Sequence, residues 1–278
     1  MITQIQKCYL FINIILFSYG SFQYKFILYF LSDNFIKNLF ILNFIYLLRN
    51  YLFIYLTDRL TSVVPLICND KSKWPVEKFK YEFHGYVITN TFLDSLSQVL
   101  FLNKIINISI QRSLFLDLLY FIPLTFMYEI IFDLFYYIVH RIGHNKLIYC
   151  YFHKLHHKFP HPITILFYYH HPVDYILSFC VPTITTLYFI NNLSFYQFNI
   201  MLCFKNIVEL FGHCGRRLYP VDCFAQCPSL AKYLNIELYS EDHDLHHSLN
   251  NCNYGKRFTL WDKVFNTYKN DKRILVKQ

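Results

Sequence analysis

Apolar residues gather into six long stretches, 8–31, 35–56, 86–108, 113–139, 173–190 and 193–211, with polar segments between them. A helix needs about 17 to 25 such residues to cross a bilayer, and each stretch reaches that length. Lys25 and Arg49 interrupt the first two, and 8–18 after Lys7 resembles a signal-peptide core. No small-x-small cleavage site follows it, so a retained membrane segment is expected. Pairing 86–108 with 113–139 and 173–190 with 193–211 gives two hairpins, and the predicted fold is an all-α, multi-pass integral membrane bundle.

Charge orients this bundle. The stretch 57–85 carries Arg59, Lys71, Lys73, Lys78 and Lys80, and the end of the chain is rich in lysine and arginine from Lys256 to Lys277. Positive loops stay on the cytoplasmic side. Both hairpins then leave from and return to that side, which puts the polar segments at their ends next to the cytoplasm.

Composition narrows the class. With 55% hydrophobic and 21% aromatic residues the chain is too apolar for an ordinary soluble domain. Its six glycines form neither a dinucleotide fingerprint nor a P-loop, so any electrons must arrive from outside. No nucleic-acid partner is expected. Nine cysteines, scattered through apolar segments, do not make a disulfide framework, and Cys223 with Cys227 lacks the second pair of a zinc site.

The histidines carry the chemistry. Thirteen occur in 278 residues, which makes a His-x-x-His-His match a chance event at roughly one in ten thousand per start position. Two are present: His153-Lys154-Leu155-His156-His157 and His243-Asp244-Leu245-His246-His247. His140 and His144 lie just before the first. Residues at i, i+3 and i+4 share a helical face, so each cluster can aim imidazoles at one point. Eight imidazoles overfill a tetrahedral site but suit two metals with positions left for oxygen and water.

Other polar residues fall at the same depth. His213 ends the last stretch and is a candidate ninth ligand, with Glu209 four residues earlier on the same face. His171 and Asp174 open the preceding stretch, and Asp133 and Asp244 complete a set of groups suited to orienting a ligand histidine. Glu129, Asp133, His140 and His144 fall on one side of a helix through 113–139. His84, His161 and His170 are read as ordinary packed histidines.

In order, the motifs HRIGH, HKLHH and HDLHH, with His171-Pro172, His213-Cys214-Gly215 and the run from Asn251 to Tyr268, resemble the fatty acid hydroxylase and sterol desaturase superfamily over about residues 115–268. The short first motif, close to the second, is similar to the hydroxylases rather than to the acyl desaturases. Arg216-Arg217-Leu218-Tyr219-Pro220 departs from the pattern of the sterol branch. The resemblance makes 113–270 a fatty acid hydroxylase-like catalytic domain, behind an N-terminal embedded region 1–112 and before a basic tail 271–278. It further implies two iron ions held by the histidines, O2 as co-substrate, and a lipid substrate hydroxylated at a C–H bond. Reduced nicotinamide would supply electrons through a cytochrome b5-type donor, at the endoplasmic reticulum membrane with the site facing the cytoplasm. The rival class is a histidine-rich metal transporter, which would hold its ligands on broken helices at mid-membrane rather than at span ends.

Overall fold

The computed structural model describes residues 4–68, 76–110, 113–218 and 223–270. The basic tail 271–278, and Lys71 and Lys73 of the basic loop, lie outside these residues. The described chain is helical, with α1 (Gln4–Phe30), α2 (Phe35–Thr61), α3 (Val76–Ile110), α4 (Leu114–Leu119) and α5 (Phe121–Gly143). Then come α6 (Pro172–Tyr175), α7 (Val181–Phe189), α8 (Phe195–His213), α9 (Pro228–Tyr233), α10 (Ser240–Leu249) and α11 (Leu260–Val264). Among the described residues the β pairing is confined to two isolated bridges, Leu66 with Arg216 and Glu237 with Phe258.

Local chemistry sets the ends. Asn34 accepts the Lys37 amide at 3.0 Å and starts α2. Ser194 and Gln197 cap α8 reciprocally, each side chain meeting the other's backbone N–H. The stretch expected as one helix over 113–139 is broken at Tyr120 (φ −92°, ψ 2°), because Pro123 has no N–H to offer the Leu119 carbonyl. Pro182 acts similarly: the run from Pro172 to Phe189 widens into a π turn at Ile176–Cys180 just before it.

α8 is the axis of the molecule. It is buried along almost its whole length and packs against α1, α2, α10 and the 3₁₀ turn Thr164–Tyr168. α1 crosses it closely at Gly20, where a Cβ would stand 2.9 Å from the Ile200 Cα. The turn His153–Lys158 and α10 gather where α5 and α8 finish, while α9 and α11 share a cluster with Ile122, Phe126 and Ile130 in the first half of α5.

Among the described residues two helices, α2 and α5, are long and apolar enough to cross a membrane. α8 falls short of that hydropathy because it turns Gln197, Asn199, Lys205, Asn206 and Glu209 inward. The exterior is apolar in turn: Phe22, Ile36, Phe40, Phe44 and Phe115 are all largely exposed. A water-facing surface rarely carries so large an apolar area.

Candidate metal centre

Nine histidines converge where α5, α8, α10 and the turn His153–Lys158 meet. They form two groups: His140, His144, His153, His157 and His246 in one, and His156, His213, His243 and His247 in the other. Within each group the candidate ligand nitrogens lie within 4.8 Å of one another. His140 and His213 come from the last turns of α5 and α8, and three more from α10. All but the half-buried His144 are buried.

The two His-x-x-His-His motifs do not each serve one point. His153 and His157 enter the first group and His156 the second, while His243 and His247 enter the second and His246 the first. Neighbouring side chains on a helix diverge by about 100°, so adjacent histidines aim at different centres while i and i+4 stay together. The first motif is also a 3₁₀ turn rather than α-helix.

Imidazole orientation is set from outside the groups. His140 Nδ1 donates to the Tyr254 carbonyl at 2.8 Å, His246 Nδ1 to Cys252 at 2.7 Å and His213 Nδ1 to Glu209 at 2.8 Å. A carbonyl can only accept, so these rings carry the proton on Nδ1 and present a bare Nε2 inward. His153 Nδ1 meets Asp174 at 3.0 Å with the same result. Inside the groups, ring nitrogens face one another at 3.0 Å (His157 and His153), 3.1 Å (His243 and His213) and 3.2 Å (His246 and His157). Nε2 of His140, His144 and His156 has no hydrogen-bond partner. Buried nitrogen lone pairs pointed together and left unsatisfied are costly, and a cation between them removes that cost. The donor set therefore fits metal ions, and imidazole suits iron, zinc and copper alike.

The loop that carries Cys252 and Tyr254 is locked to α5. Asp133 accepts the backbone N–H of Lys256 at 2.7 Å, Arg257 at 2.8 Å and Phe258 at 3.2 Å. Asp262 takes those of Tyr254 and Gly255. Only glycine fits at 255, where a Cβ would stand 2.6 Å from the Phe258 carbonyl. Asp133, expected to orient a histidine directly, instead anchors the segment whose carbonyl does so. Beneath the site Glu209 pairs with Lys256 and Arg257, each at 2.9 Å, and Arg257 reaches Glu129 at 2.9 Å.

Of the other outlying residues, Asp244 meets His161 at 2.9 Å. His171 does not reach the site: it caps α6 by accepting the Val173 amide and lies half-buried beside Phe152. Its neighbour His170 points inward instead, bonded to Asp174 at 2.8 Å and stacked on His156 at 3.8 Å between ring centres. Sequence alone places His171, not His170, among the orienting groups, and the structure reverses the two. His84 sits away from the groups, against the Tyr51 hydroxyl. A surface cavity of about 680 Å³ lined by Tyr137, Arg141, Ile142, Asn145 and Tyr254 opens onto His144.

Burial, reinforced by neighbouring imidazoles, holds His156, His157, His243 and His247 well below the ordinary histidine range. Burial brings His246 down to about 3, although the Cys252 carbonyl raises it. These groups stay neutral when folded, whereas the unfolded chain gains protons below about pH 6.5. Metal-free protein should thus be most stable above that pH. Stability should be lost on acidification by about 1.4 kcal/mol per pH unit for each such histidine, the His246 share ending near pH 3. Thermal melts of metal-stripped protein across this range check the sign; a flat profile would contradict it.

Residues 125–267, just over half of the chain, match the fatty acid hydroxylase family, and the chain belongs to that family. A fatty acid hydroxylase of a Lecanicillium species is 31% identical over 51% of this chain and 40% of its own length. Methylsterol monooxygenase 1 of Rattus norvegicus is 32% identical over 49% of this chain and 43% of its own. A very-long-chain aldehyde decarbonylase of Oryza sativa is 31% identical over 48% of this chain and 21% of its own. The chain thus matches under half the length of each of these relatives. No solved structure matches significantly.

Proposed function

We propose that this protein is a membrane-bound di-iron oxygenase that hydroxylates a C–H bond of a lipid, sterol or fatty-acyl in type. The observation that carries the reading is the pair of histidine groups, nine imidazoles whose candidate ligand nitrogens lie within 4.8 Å of one another in each group. His140, His144, His153, His157 and His246 would hold one metal, and His156, His213, His243 and His247 the other. Bound iron would supply reductive activation of oxygen for the overall change RH + O2 + 2e⁻ + 2H⁺ to ROH + H2O. The chain's own contribution is to fix ring orientation through the Tyr254, Cys252 and Glu209 carbonyls and Asp174, and to keep water from the buried nitrogens. Placement of the histidines at helix ends favours this reading over a transporter. The names of the relatives, monooxygenases and hydroxylases of lipids, support the substrate class.

Purified protein should carry close to two metals per chain, with iron dominant under native expression. Metal analysis should be joined to oxygen uptake and product analysis after iron reconstitution, since zinc can occupy such ligands in overexpressed material. A stoichiometry near one would sink the two-metal reading.

The apolar exterior, with α2 and α5, supports membrane embedding. In this reading the histidines, the basic loop 57–85 and the C-terminal region face the cytoplasm at the endoplasmic reticulum, where basic residues would draw an acidic cytochrome b5-type donor carrying electrons from reduced nicotinamide. Cys150, exposed between the first two histidine motifs, is the natural probe, because Cys252 is buried. In sealed vesicles with other reactive cysteines replaced, Cys150 should react only with cytoplasmic-side reagent; labelling from the lumen alone would reverse the orientation.

A further inference from the structure

We propose that a buried polar chamber between α2, α3, α7 and α8 receives the oxygen-bearing head, carboxylate or hydroxyl, of the lipid substrate, with Lys205 and Arg49 as its holding groups. The assignment of that lipid as substrate rests on the hydroxylase reading. The chamber has a volume of about 40 Å³ and is lined by Arg49, Asp94, Thr183, Lys205, Asn206 and Glu209 with aromatic walls.

Its polar groups are incompletely matched to one another. Arg49, 2% exposed, gives Nε and Nη2 to Asn50 and leaves Nη1 without a partner. The Asp94 carboxylate stands 4.0 Å from Arg49 Nη2, beyond hydrogen-bond reach. Lys205 Nζ lies over the Phe132 ring and, among the described residues, donates no hydrogen bond. Asn206 spends its amide N–H groups on Asn50 and Tyr168 while its Oδ1 stays unpartnered. Glu209, in the same wall, is already engaged by Lys256 and Arg257, each at 2.9 Å. Two cationic donors and a free acceptor converging in an apolar bundle are costly unless a ligand completes them, and ionisable groups at such depth mark function.

The chamber is placed to serve the histidines. Phe167 and Phe179 form part of its wall, and the same rings lie 5.6 Å from His213 and 5.3 Å from His170. A head held by Lys205 and Arg49 therefore brings the carbons nearest that head closest to the metal groups, so hydroxylation falls near the polar end of the lipid. At roughly 10–15 Å³ per water-sized atom the space takes a carboxylate or hydroxyl but not a phosphodiester headgroup.

The test uses the iron-loaded full chain in lipid nanodiscs and a diazirine-bearing sixteen-carbon fatty acid. Label should map to the peptides bearing Phe167 and Phe179. Palmitic acid and its alcohol should displace it at least about tenfold better than hexadecane, and Lys205→Met should erase that advantage for the acid. Loss for the acid alone identifies a carboxylate; equal loss for the alcohol identifies a hydroxyl as the shared head. Thr183→Val, a milder change in the same wall, should give a smaller loss and serves if Lys205→Met does not fold. Equal displacement by hexadecane, or label indifferent to both variants, would overturn the chamber. Head-dependent labelling without hydroxylated product would keep the chamber as a lipid site and remove the hydroxylase reading. Product formed by Lys205→Met at the parental KM would remove the chamber alone.

Discussion

Replacing His246 and His247 together with alanine should reduce hydroxylation to background and strip metal from the protein. The two residues are adjacent in sequence, yet they serve different groups. The single variants should therefore differ in kind: His246→Ala should weaken the metal held with His140 and His144, and His247→Ala the one held with His156, His213 and His243. Each should leave close to one metal per chain, and neither should turn over, because a two-metal reaction needs both. His84→Ala, whose ring meets the Tyr51 hydroxyl away from both groups, should retain activity. Comparison at matched amounts of membrane-inserted protein separates lost chemistry from lost folding, since metal and fold are coupled. Hydroxylation surviving in the double variant would remove this cluster from the centre.

The histidines of the site were legible in sequence because the motifs are improbable by chance and lie next to apolar stretches that fix their depth. The helices fall close to those stretches for the same reason, with α1, α2 and α8 shifted by a few residues and α3 extended toward Val76. The division of the histidines into groups was not legible. It depends on the divergence of adjacent side chains and on how the turn at His153 is folded back against α10. Asp133 was misread for a related reason. Helical periodicity placed it on the same side of α5 as His140, but it could not reveal that a segment more than a hundred residues later returns to fill the space between. The choice of His170 over His171 and the chamber around Lys205 likewise come from long-range packing that no local pattern encodes.

That returning segment gives the second large effect. Asp133→Ala leaves the N–H groups of Lys256, Arg257 and Phe258 buried without an acceptor. Each such loss costs about 1–3 kcal/mol, so the sum is a large part of the roughly 5–15 kcal/mol that holds a domain folded. The effect should pass to the centre through geometry. The freed loop carries the Tyr254 and Cys252 carbonyls, which set the rings of His140 and His246 in the first group. The variant should melt about 10 °C or more below the parent, and the metal held with His140 and His246 should be lost first. Asp133→Asn keeps one oxygen for two of the N–H groups but sets an amide N–H against the third, so it should fall between the two in both melting temperature and metal retention. His213 takes its orientation from Glu209 on its own helix, so the second group should outlast the first as the loop loosens. An Asp133→Ala protein that melts within about 2 °C of the parent and keeps both metals would show that the anchored loop is not what orients the imidazoles.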